Sequence, residues 1–105
     1  MAREQLKNLT EPMYYILLSL ITPQHGYGIM QEVERRTEGR VKIGAGTLYN
    51  LLSRFEEEEF IQQISEGNRR KTYRITDKGM DILRDEYKRL QQLIVDGSEF
   101  LEEGR

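Results

Sequence analysis

The 105-residue chain has no cysteine, no tryptophan, two prolines and a single histidine, His25. The missing cysteine removes both a disulfide framework and thiolate chemistry. One histidine cannot assemble a multi-histidine metal site within a subunit, so no metal and no cofactor is expected. No apolar run approaches the roughly 20 residues that span a bilayer, and MAREQLKNLT lacks the apolar stretch of a signal peptide; the expectation is a cytoplasmic protein without a membrane partner. Gly-rich phosphate loops and nucleophile–histidine arrangements are also missing. The many carboxylates are expected to lie in solvated runs without the apolar surroundings that shift a pKa, which points away from an enzyme.

With 37% hydrophobic residues, the chain is long enough for one domain with a modest core. Its formal charge of -2 argues mildly against a nucleic-acid partner, since phosphate binding normally leaves a basic footprint. The distribution of charge says more than the sum. Arg69, Arg70, Lys71 and Arg74 crowd one stretch with no acid between them, whereas Asp96, Glu99, Glu102 and Glu103 dominate the C-terminal end.

From Thr10, TEPMYYILLSLIT offers an N-cap, an early proline and apolar residues on nearly every side, predicting a short buried helix that ends near Pro23. PQHGYG reads as punctuation, with His25 as a loop residue. An amphipathic helix follows, with Ile29, Met30, Val33 and Thr37 on one face and Gly39 closing it. RVKI adds a little extended structure before a third helix, GAGTLYNLLSRFEEEE. In that helix Leu48, Leu51, Leu52 and Phe55 form the core stripe at about 100° per residue. Gly46, Asn50, Ser53 and Glu57 lie opposite, with Tyr49 on one shoulder and Thr47 and Arg54 on the other. FIQQISEGNRRKTYRIT predicts two strands around a turn at Gly67 and Asn68, with Tyr73 and Ile75 on one face. Thr76 caps a long last helix in which Met80, Leu83, Tyr87, Leu90 and Ile94 recur at alternating spacings of three and four.

Three helices, a hairpin and a long helix define a mainly α (α+β) fold, a winged helix-turn-helix with a long C-terminal dimerisation helix. Residues 1–76 are expected to form the DNA-binding domain and residues 77–105 the dimerisation helix. A recognition helix enters the major groove by its N-terminal half, where small, hydroxyl, amide, phenol and guanidinium groups reach bases and phosphates and the helix dipole favours phosphate. The candidate contacts are Lys42, Ala45, Gly46, Thr47, Tyr49, Asn50 and Arg54, joined by Arg69, Arg70 and Lys71 of the wing. The glutamates at 56–59 fall where the helix leaves the groove and discourage non-specific clinging. The stripe Met80, Leu83, Tyr87, Leu90 and Ile94 is the candidate dimer seam; Gly97 interrupts it, and GSEFLEEGR is expected to fray or fold back unless Phe100 and Leu101 hold it.

HGYGI, GTLYNLLSRFEEEEFI, RRKTYRIT and DKG resemble the PadR family of bacterial transcriptional regulators, particularly its short members with one C-terminal helix. The resemblance implies a homodimer, double-stranded DNA as partner through helix and wing, and repression relieved by a small-molecule effector near the dimer interface. Two departures stand out: Glu59 occupies a position where the family usually has glycine, and the last helix has no tryptophan on which a flat ligand would stack. The competing reading, favoured by the negative net charge, is a winged-helix module that binds protein through the same exposed helix and no longer binds DNA.

Overall fold

The computed structural model describes residues 8–64 and 71–103. The first helix, α1 (Glu11–Ser19), starts where Thr10 Oγ1 accepts the Met13 N–H at 3.4 Å. Pro12 sits in the first turn, where its missing N–H has no intrahelical partner to lose. Met13, Ile16 and Leu17 point inward, and the chain leaves the helix at Leu20, before Pro23.

PQHGYG does more than punctuate. Gln24–His25 forms β1, and His25 then caps α2 (Gly26–Arg36), its Nδ1 accepting the Gly28 N–H at 3.1 Å. Thr37 ends α2 from inside the core: its hydroxyl donates to the Val33 carbonyl at 2.8 Å and accepts from the Val41 N–H at 3.1 Å. Glu38 and Gly39 turn the chain with φ of 54° and 81°. Residues 40–43 are irregular rather than extended pairing partners, and they bury Val41 and Ile43.

The third helix, α3 (Ala45–Glu57), buries Leu48, Leu52 and Phe55, with Leu51 packed against the core edge. Glu59, at φ 65°, reverses the chain into β2 (Ile61–Gln63). The left-handed cap therefore exists without glycine. β3 (Thr72–Ile75) pairs antiparallel with β2, Ile61 opposite Ile75, and with β1, Gln24 opposite Tyr73. The sheet order is β1-β3-β2. Period-two alternation holds along β3, with Tyr73 and Ile75 buried and Arg74 exposed.

The last helix, α4 (Asp77–Glu103), has 27 residues, about 40 Å at 1.5 Å per residue, and runs unbroken through Gly97. The expected fraying or folding back from Gly97 does not occur over residues 97–103: one glycine costs a helix only about 1 kcal/mol, which the many good helix formers around it outweigh. Phe100 and Leu101 are 80% and 79% exposed. Among the described residues, the buried positions of α4 run from Gly79 to Glu86. Ile82 and Leu83 join the core with Ile16, Leu17, Leu20, Ile29, Leu52, Phe55 and Phe60.

Glu86, 3% exposed, is the charged residue that α4 buries. It accepts the Arg89 Nε–H at 2.9 Å and is also hydrogen-bonded by the Leu9 backbone N–H. The Arg89 hydrogen bond holds its carboxyl below the usual range against the opposing pull of burial. This ties the chain ahead of α1 to α4.

Candidate nucleic-acid interface

Because Leu48, Leu52 and Phe55 anchor one side of α3, helical geometry turns Ala45, Gly46, Thr47, Asn50 and Ser53 outward, and all five are exposed. Arg54 is half-buried on the shoulder. The N-cap is Gly44, which has no side chain to satisfy the first-turn amides, so the positive end of the helix is presented bare. Among the described residues this is the face where small side chains, hydroxyl, amide and guanidinium groups converge on one helix end.

Tyr49 has a more specific placement than its sequence position suggests. A Cβ on Gly26 would collide with the Tyr49 hydroxyl and stand 2.8 Å from its Cζ, so the phenol lies across the N-terminus of α2 where glycine leaves room. Burial, then Glu56 and Tyr49, push the Tyr73 hydroxyl above its ordinary pKa. The ring thus lies between α3 and the start of α2 while remaining 49% exposed.

Lys42 is exposed just before α3, with its ammonium 4.0 Å from Glu34 of α2. In the wing, Lys71 and Arg74 are exposed, Arg74 on the outer face of β3 opposite Gln62. Arg69 and Arg70, with the turn at Gly67 and Asn68, lie outside the described residues. Glu56, Glu57 and Glu59 are exposed at the far end of α3 from its presented amides. Among the described residues no group of three His, Asp or Glu is placed to hold a metal ion, and no helix is long and apolar enough to cross a membrane.

The proposed seam residues divide into two sets. Leu83, 3% exposed, belongs to the chain's own core, and Met80 packs against that core, because the start of α4 lies over the head. Leu90 is half-buried, while Tyr87 and Ile94 are 55% and 69% exposed. Sequence spacing missed Leu93, 51% exposed on the same side, and it did not identify His25 as a strand residue and helix cap. The polar residue immediately before a helical run, GYGIM, was the available signal for the cap.

A trihelical head with a small antiparallel sheet and a long trailing helix is a winged helix-turn-helix protein. Residues 16–85 match the transcriptional regulator PadR-like family, and the chain belongs to it. A relative from Lysinibacillus sphaericus, called uncharacterized protein X, is 35% identical over 96 aligned positions, covering 80% of this chain and 88% of that protein. Among solved structures, a PadR family transcriptional regulator from Eggerthella lenta superposes with a TM-score of 0.73 at 26% identity, covering 99% of this chain and 91% of that one. A PadR family transcription regulator from Clostridium difficile gives 0.66 at 25% identity over 85% and 97%.

Proposed function

We propose that this PadR-family transcriptional regulator is a cytoplasmic homodimeric repressor that binds a pseudo-palindromic operator and is released by a small molecule near its dimer interface. The observation that carries the reading is the outward face of α3. Ala45, Gly46, Thr47 and Asn50 are exposed beside a helix N-terminus with no side-chain cap, the arrangement suited to a major groove lined by phosphates. Lys42 and Arg54 flank that face, Tyr49 reaches backbone phosphate from its shoulder, and Arg69, Arg70 and Lys71 hold the flanking backbone.

The dimer reading is supported by the outer half of α4. Tyr87, Leu90, Leu93, Ile94, Gly97, Phe100 and Leu101 span an arc of about 140° at 100° per residue. That arc is wider than a two-stranded coiled-coil seam and suits packing against more than one helix of a second copy. Residues 1–76 supply DNA reading and residues 77–105 dimerisation, with the first turns of α4 shared between them. Two recognition helices about one DNA turn apart then address two half-sites. An effector acts by changing the angle between copies.

Titration of the purified protein against sheared genomic DNA, with recovery and sequencing of bound fragments, tests this reading. The expected result is enrichment of one short palindrome, with a log-log salt slope of about -5 if six phosphates are neutralised per dimer. Absent or wholly unselective retention, lost at modest salt, would replace DNA by a protein partner for the same face, in keeping with the net charge of -2.

A further inference from the structure

Thr76 lies between the wing and α4, and three independent contacts converge on it. Its hydroxyl donates to the Glu59 carbonyl at 2.7 Å, at the left-handed residue that ends α3. Its backbone N–H donates to the Phe60 carbonyl at 2.9 Å. The same hydroxyl oxygen accepts the Gly79 N–H at 3.1 Å, inside the first turn of α4. One side chain therefore caps α4 and holds the end of α3.

The surroundings tighten this join. A Cβ on Gly79 would collide with the Phe60 carbonyl oxygen and stand 2.7 Å from Ile75 Cγ1, so α4 rests directly on the backbone that links α3 to β2. Phe60 is fully buried, its ring 6.1 Å from that of Phe55 and its N–H bonded to the Phe55 carbonyl at 2.9 Å. Lys78 covers the Phe60 ring at 5.8 Å. The last turn of α3, the root of the wing and the first turn of α4 meet within a few residues, joined mainly through backbone atoms, which have few alternative positions.

We propose that Thr76 is a positioning residue for DNA recognition: by bonding Glu59 and Gly79 at once it makes α3 and α4 a single rigid body. This rests on the reading of the protein as an operator-binding dimer. The angle between the two α4 helices then sets the separation of the two recognition helices. Over a lever of roughly 20 Å, half of α4, a tilt of about 10° carries α3 by about 3.5 Å, close to one base-pair rise. Operator spacing and effector response are both delivered through this splice, and a loose splice would absorb the tilt before it reached the groove.

The experiment exploits the missing cysteines: Glu57→Cys and Gln91→Cys, both at exposed positions, create two specific spin-label sites, one on α3 and one on α4. Doubly labelled protein diluted into unlabelled protein reports the intramolecular distance distribution by pulsed electron resonance. Thr76→Asp keeps an oxygen for the Gly79 N–H but, ionised, has no proton for the Glu59 carbonyl, whereas Thr76→Ser keeps both bonds. The distribution is expected to stay narrow with Thr or Ser at this position and to broaden at least twofold with Asp. In parallel, discrimination of about tenfold between the best operator spacing and one base pair more or less should survive in Thr76→Ser and fall below threefold in Thr76→Asp. A narrow distribution in Thr76→Asp, or equal broadening in Thr76→Ser, would overturn the proposal. Failure of the parent to bind any palindrome would retire the operator reading instead, and the distance distributions would still decide the rigid splice.

Discussion

Replacing Glu59 by glycine should make the protein more stable. Its φ of 65° puts a side-chain-bearing residue in the left-handed region, where Cβ crowds the carbonyl oxygen at about 1–2 kcal/mol. Glycine removes that strain but enlarges the unfolded ensemble, a penalty of roughly 0.4–1 kcal/mol. The substitution also takes one of several carboxylates from the negative end of α3, a gain of about 0.3 kcal/mol. The sum is about 1 kcal/mol in favour of glycine, or a rise of about 4–8 °C in Tm for a domain of this size. The Thr76 bond uses the Glu59 carbonyl, which glycine retains. Thermal denaturation followed by circular dichroism at matched protein concentration measures the shift, and Glu59→Ala separates the contributions, since alanine loses the charge but keeps the strain. A Tm for Glu59→Gly no higher than that of Glu59→Ala would refute the reasoning, because it would mean the backbone at 59 carries no strain for glycine to release.

Three further outcomes are expected. Arg54→Ala should weaken operator binding about tenfold with Tm unchanged within 2 °C, a loss of about 1.4 kcal/mol at one contact; unchanged affinity in a shift assay would remove Arg54 from the interface. Ile94→Asp, at a position 69% exposed in the single chain, should leave the head folded yet convert the dimer to monomer by light scattering, and a mass equal to that of the parent would place the interface elsewhere. Glu86 should make stability pH-dependent: its folded pKa is depressed, chiefly by Arg89, so its contribution is complete above the unfolded value of about 4.3 and lost as pH falls through the lower folded value. The difference in urea midpoint between parent and Glu86→Gln should accordingly be constant above about pH 5 and shrink below about pH 4. A difference that stays constant down to pH 3 would show that the carboxylate and Arg89 are not coupled in the folded state.

The features legible in the sequence are those set by local period and capping. Leu48, Leu52 and Phe55 declare the inner face of α3, Thr10 and Thr76 declare helix starts, and alternation at Tyr73, Arg74 and Ile75 declares a strand. The rest depends on partners distant in the chain. Gln24 and His25 carry no strand signal of their own; they become β1 because β3 offers Tyr73 and Thr72 an edge away. The regular spacing of Met80, Leu83, Tyr87, Leu90 and Ile94 could not show that the head ends partway along it, after which the same pattern faces solvent. Buried Glu86 was invisible because its solvation is replaced by Arg89 on its own helix and by Leu9, 77 positions away. Glu59 shows the opposite limit: glycine is the residue that a left-handed cap favours, and the surrounding hydrogen bonds impose the conformation without it.

The bare outer half of α4 carries a consequence for dosage. From Tyr87 to Glu103 the helix has little of its own chain to lean on, and a segment of about 17 residues is only marginally helical alone in water. In the proposed dimer its order comes from the second copy, so folding of this segment follows mass action. Doubling the amount of protein then raises paired molecules up to fourfold when most chains are single. A promoter under such a repressor would read the square of its expression level, with a sharper threshold than any monomer could set.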